Sequence, residues 1–97
     1  MAYILIIEPS AQADIEEAYD YYFTKGIHVA ELLFEDLQHA YNVLAINPFF
    51  QIRTKNYRAL PLKSFPYMFF FIIDEEKKYV KIVALFNTNQ NTNKYPQ

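Results

Sequence analysis

The run Tyr67-Met68-Phe69-Phe70-Phe71-Ile72-Ile73 is apolar at every position, and it constrains the fold more than any other stretch. Successive side chains of a strand point to opposite faces. Met68, Phe70 and Ile72 therefore look one way, and Tyr67, Phe69, Phe71 and Ile73 the other. A strand of this kind needs cover on both sides, so the number of covering elements elsewhere in the chain decides what remains exposed.

Only two segments carry helical periodicity. Ala11, Ile15, Ala18 and Tyr22 fall on one side of a segment reaching about Thr24, while Asp14, Glu16, Glu17 and Asp20 take the other. Ser10 is the expected N-cap after the strand Ala2 to Ile7. Lys25-Gly26-Ile27 is a tight connection, with Gly26 closing the helix in left-handed geometry. From about His28 to Asn47, an apolar stripe of Ala30, Leu33, Phe34, Leu37, Ala40, Tyr41 and Leu44 predicts a second helix, which Pro48 ends. Strands are then expected at Tyr57 to Leu62, Tyr67 to Asp74 and Tyr79 to Asn87, the last two joined by the polar loop Asp74-Glu75-Glu76-Lys77-Lys78. In the last strand Val80, Ile82, Ala84 and Phe86 share one face, and Tyr79, Lys81, Val83, Leu85 and Asn87 the other.

The order is β-α-α-β-β-β, an α+β fold with a helical hairpin on one face of a small, mainly antiparallel sheet. Residues 1–97 are expected to form one domain, with 88–97 as a polar tail. A two-helix layer covers only one side of a sheet. The other side should be an open apolar face where a partner or a second copy docks, with Phe69, Phe71, Val83 and Leu85 as partner-binding candidates. The competing expectation is that Thr88 to Gln97 folds over that face.

Composition excludes several function classes. There is no Cys, which removes thiolate metal sites and Cys nucleophiles and fits a reducing, cytoplasmic setting. Gly26 is the only glycine, so a phosphate-cradling loop cannot be built. The opening MAYILIIEPS has no basic n-region, and its apolar run is too short for a signal segment or membrane span, so no membrane role is expected. His28 and His39 stand roughly 16 Å apart along one helix and cannot share a metal ion. Neither serine, Ser10 or Ser64, sits in a nucleophile elbow. Glu16, Glu17 and Asp20 read as a solvated helix face rather than an acid-base pair. No metal or cofactor is expected.

The formal charge of −2 does not favour a polyanionic partner overall, so any nucleic-acid contact must come from a local patch. Arg53, Lys55, Arg58 and Lys63, interleaved with Tyr57, Phe65 and Tyr67, supply one candidate.

The stretch Tyr57-Arg58-Ala59-Leu60-Pro61-Leu62-Lys63-Ser64-Phe65-Pro66-Tyr67 resembles the R-x-L-x-L-K-x-F-P-Y signature of the RelE/ParE toxins. Ala11, Asp14, Ile15 and Tyr21-Tyr22 are similar to the A-x-x-D-L…YY pattern of their first helix, and Leu44-Ala45-Ile46-Asn47-Pro48 to the L-x-x-N-P closing their second. The resemblance implies a toxin of a type II toxin-antitoxin, or plasmid stabilisation, system, held silent by a cognate antitoxin. In that family the ParE branch poisons DNA gyrase by binding, and the RelE branch cuts messenger RNA in the ribosome. By position, Tyr67 stands where the RelE branch carries a catalytic Arg, and Asn87 with its neighbours replaces the basic run after its last strand. The F-P-Y form leans toward ParE. On the ParE reading Arg53, Arg58, Lys63 and Tyr67 are target-binding candidates and there is no catalytic centre. On the ribonuclease reading Arg58, Lys63 and Tyr95, with Arg53, are the candidates for handling RNA without a metal. A third reading is a non-toxic relative that dimerises through its apolar sheet face.

Overall fold

The computed structural model describes residues 2–89 together with 95 and 96. Its elements are β1 (Ile4–Ile7), α1 (Pro9–Phe23), α2 (Ile27–Ile46), β2 (Ile52–Thr54), β3 (Tyr57–Pro61), β4 (Tyr67–Asp74) and β5 (Tyr79–Asn87). The sheet runs β1-β5-β4-β3-β2. β1 lies parallel to β5, and every other pairing is antiparallel. The all-apolar strand β4 thus takes the centre, where both of its faces and both of its edges are covered. Two helices on a mixed five-stranded sheet agree with the expected α+β architecture. The short edge strand β2, which escaped the sequence reading, is added by a turn through Lys55 at φ 49°.

Local starts and stops differ from expectation for identifiable reasons. Glu8, not Ser10, is the N-cap of α1, because Pro9 sits in the first turn with its φ already set for a helix. Gly26 does not close α1. It opens α2 as the N-cap at φ 137°, a backbone geometry that side chains resist. On α2 the buried face is Ala30, Leu33, Leu37, Ala40 and Leu44. Phe34 falls off this stripe and is 53% exposed, while Asp36, on the opposite flank, is buried.

The main core lies between the helices and the sheet, where Ala11, Ile15, Ala18, Leu33, Leu37 and Leu44 meet Phe69, Phe71, Val80, Ile82 and Leu85. Tyr41 of α2 stacks on Phe69 with ring centroids 5.5 Å apart. The expected alternation holds along β4 but breaks in β5. Phe70 pairs with Ala84 and Phe71 with Ile82, leaving Val83 as an extra residue in a β-bulge. Past the bulge the faces exchange, so Leu85 joins the helix-covered core and Ala84 and Phe86 turn to the second face. Helix α1 holds the bulge from outside: Ser10 Oγ donates to the Val83 carbonyl at 2.7 Å, and Asp14 Oδ2 accepts from the Leu85 N–H at 3.1 Å.

These placements correct the partner-binding expectation. Phe69, Phe71 and Leu85 are buried beneath the helices, and only Val83 lies toward the second face. That second face is not wholly open either. Ala59, Met68, Phe70 and Phe86 form a smaller cluster there, and Tyr95 caps it edge-on, with its ring 4.9 Å from Phe70 and 4.8 Å from Phe86. The expected tail cover is therefore realised at Tyr95. Of the 88–97 tail, residues 90–94 and 97 lie outside the described residues. No helix among the described residues is long and apolar enough to cross a membrane.

Candidate functional site

The loop that carries the family-like signature is shaped by one buried carboxylate. Asp36 is 7% exposed. Its Oδ1 accepts from the Lys63 N–H at 3.2 Å, and its Oδ2 from the Ser64 and Phe65 N–H groups at 2.9 and 3.1 Å. Three backbone donors aimed at one carboxylate make charge-assisted bonds, and they fix the chain between β3 and β4 where the sheet gives these amides no partner. Nothing in the sequence reading singled out Asp36. The available signal was a charged residue beside the stripe of Leu33, Leu37 and Ala40.

The expected basic cluster is dispersed. Lys63 is exposed and lines a shallow groove with Leu32, Glu35 and His39. Arg58 is half-buried, its Nη1 donates to the Phe50 carbonyl at 2.8 Å, and its guanidinium lies 5.6 Å from the centre of the Phe49 ring. It ties the segment after α2 to β3. Arg53 is exposed on the edge strand β2. Arg58 pairs with Phe71 in the middle of β4, whereas Tyr67 pairs with Asn87 at the start of that strand, a separation of roughly 13 Å along it. Tyr95, packed on the second face, does not join Arg58 and Lys63. No single surface gathers these candidates.

What the fold does assemble around Tyr67 is a cleft of about 340 Å³ between α1 and the far ends of β4 and β5, lined among others by Asp14, Glu17, Tyr21, Tyr22, Tyr67 and Asn87. Tyr22 is at its centre, 4.9 Å from Tyr21, 5.0 Å from Phe65 and 6.2 Å from Tyr67, each pair edge to face. Burial pushes the Tyr67 phenol up to about 12, aided by its hydrogen bond with Tyr22 and by the Glu17 carboxylate. Burial also raises the Asp14 carboxyl, the Leu85 N–H opposes this, and Glu17 adds to the rise. Among the described residues no Lys or Arg lines the cleft. The sequence signal for it was present, since Asp14, Glu17 and Tyr21 recur at helical spacing on α1, but that helix face was taken as solvated. Among the described residues no group of three His, Asp or Glu side chains is placed to hold a metal ion.

A helical hairpin on a mixed five-stranded sheet is a fold that two solved structures share. The chain superposes with a TM-score of 0.74 on a chain of the chromosomal ParDE system from P. aeruginosa, at 21% identity over 89% of this chain and 96% of that one. It superposes with a TM-score of 0.64 on a chain of the RelBE2 toxin-antitoxin complex from Mycobacterium tuberculosis, at 13% identity over 90% and 99%. Among curated proteins no relative matches the sequence. Residues 5–92 match the family described as the ParE toxin of the type II toxin-antitoxin system parDE, and the chain belongs to that family.

Proposed function

We propose that this protein is a toxin of the ParE kind, which acts by binding a DNA gyrase-type target and is neutralised by a cognate antitoxin. The observation that carries this reading is the composition of the cleft at Tyr67 and Asn87. These are the positions where the RelE resemblance implies an arginine and a basic run, and here the neighbouring side chains include Asp14, Glu17, Tyr21 and Tyr22. RNA cleavage requires positive charge at the reacting phosphate. A cleft lined by two carboxylates, with no Lys or Arg among its described residues, repels that phosphate instead, which favours a binding mode of action over a ribonuclease.

The antitoxin has a different surface available to it. Tyr19, Phe23 and Phe34 line an open apolar groove on the outside of the helical hairpin, with Glu16 and Asp20 as its polar rim. Phe23 and Phe34 are both about half-exposed, unlike the buried strand residues first considered. An amphipathic helix of the antitoxin laid across this groove would bury those rings.

The test is induced expression in a bacterial host, with and without the adjacent open reading frame. Growth arrest with gyrase-dependent DNA breaks and intact transcripts is expected, relieved by the neighbouring gene. Arrest with codon-phased transcript cuts would replace this reading with the ribonuclease, and unimpaired growth would leave only a dimerising relative.

A further inference from the structure

The turns of the sheet gather at one end of the molecule, opposite the Tyr67 cleft. Asp74 pairs with Tyr79, Tyr79 lies beside Ile4, and β3 enters antiparallel to β4, so the β2–β3 turn, the β4–β5 turn and the start of β1 come together there. A ladder of two cations and two rings crosses this end. Lys78 Nζ lies 5.3 Å from the centre of the Tyr3 ring, Tyr3 meets Phe49 edge-on at 6.0 Å, and the Arg58 guanidinium lies 5.6 Å from the centre of Phe49. Arg58 Nη1 is taken by the Phe50 carbonyl, which leaves the other donors of its fork. Cations laid on aromatic rings are held in place without being neutralised. Among the described residues His28–Glu31 is the only ion pair, so no carboxylate engages Lys78 or Arg58, although Glu75 and Glu76 lie in the same turn as Lys78. Backbone geometry adds a second observation. Lys55 and Lys78 are the non-glycine residues at positive φ among the described residues, at 49° and 59°. That region favours Gly or Asn, so both turns at this end keep a lysine where another residue is the more stable choice. Charge held at positions that disfavour its carrier points to a use for the charge.

Apolar surface adjoins the ladder. Ile46 follows Ala45, whose carbonyl accepts from the Tyr3 N–H at 2.7 Å, and Ile52 is paired with Arg58 across β2 and β3. Ile46, Phe49 and Ile52 are each about half-exposed or more. A fitting partner must bring negative charge to the cations and apolar side chains to these three. A nucleic-acid backbone brings only the first, and the formal charge of −2 opposes a long polyanion. We infer that this end of the sheet is the docking surface for an acidic amphipathic segment of a partner protein. The assignment holds whether the toxin acts on gyrase or on the ribosome, because it concerns only the chemistry that this surface receives.

The experiment titrates the full chain, followed by backbone amide NMR shifts, with three probes. These are a capped helical peptide with a leucine stripe and a glutamate face, its glutamine counterpart, and a short DNA duplex. The glutamate peptide should bind saturably with a dissociation constant on the order of 100 μM, moving the Tyr3, Phe49, Arg58 and Lys78 amides together. Raising salt from about 50 mM to about 300 mM should weaken it about threefold or more. Lys78→Asn, which suits the left-handed backbone, should weaken binding about threefold to fivefold while the thermal midpoint stays level or rises. Lys25→Gln, at the α1–α2 turn on the far side of Tyr22, should leave binding unchanged. Equal binding of the glutamate and glutamine peptides, absence of saturation, or tighter binding of the DNA at the same amides would each overturn the assignment. So would indifference to Lys78→Asn, a fall in the thermal midpoint of that variant, or concentration-dependent shifts of these amides in the chain alone, which would make a second copy the occupant.

Discussion

The two faces of the sheet are made by the same strands and sealed in different ways. On one, β4 contributes Phe69 and Phe71, which disappear beneath two helices. On the other, β4 contributes Phe70, which is just as fully buried, yet its cover includes a single ring from Tyr95 together with Phe86. Equal burial therefore conceals unequal support. A whole layer of secondary structure holds the first face, and aromatic contacts with a residue outside any regular element hold the second.

This contrast fixes the order of expected effects. Phe69→Ala should cost about 3–5 kcal/mol in denaturant unfolding, as expected for an aromatic removed from between sheet and helix with little room to collapse. Asp36→Ala comes next, at about 2–4 kcal/mol, because three backbone N–H groups lose their acceptor and the Lys63–Phe65 loop loses its shape. Tyr95→Ala should cost only about 1–2 kcal/mol, with hydrogen exchange rising on the second face and not in α1 or α2. A Tyr95→Ala loss as large as that of Phe69→Ala would break the comparison.

Two pH effects are smaller and separable. Burial pushes the phenols of Tyr41 and Tyr67 up to about 12, so the native state keeps protons that the unfolded chain releases near 10. Their contribution is complete below pH 10 and is lost as pH rises through 12. An ultraviolet titration should show these two tyrosines ionising last, coincident with alkaline unfolding. The raised Asp14 carboxyl works in the same direction at acid pH: its share of stability is present below the ordinary carboxylate value near 3.8 and declines as pH rises through the higher native value. Asp14→Asn, which can still accept from Leu85 N–H, should flatten that slope without unfolding the protein.

Most of the fold was legible because it follows from periodicity. The both-face apolar strand predicted its own central position, and the helix stripes marked which sides of α1 and α2 are buried. What could not be read came from single residues acting out of pattern. Val83 adds one residue to β5, and this one insertion moved Leu85 and Phe86 to faces opposite those expected. Asp36 is polar where the pattern called for surface, yet it organises a loop 27 residues away in sequence. The candidate site suffered most, because Arg58, Lys63 and Tyr67 are near in sequence but β3, the loop after it and β4 carry them to different places along the sheet. Conversely, Asp14 and Tyr67 are far apart in sequence and line one cleft.

The central proposal, a toxin that acts by binding through a molecule whose Tyr67 cleft is acidic, is tested most directly with purified components. The protein is incubated with DNA gyrase and plasmid in one reaction, and with ribosomes translating a defined messenger RNA in another. The expected result is lost supercoiling with cleaved plasmid accumulating, while the message stays intact. Normal supercoiling together with codon-phased cuts in the message would contradict it.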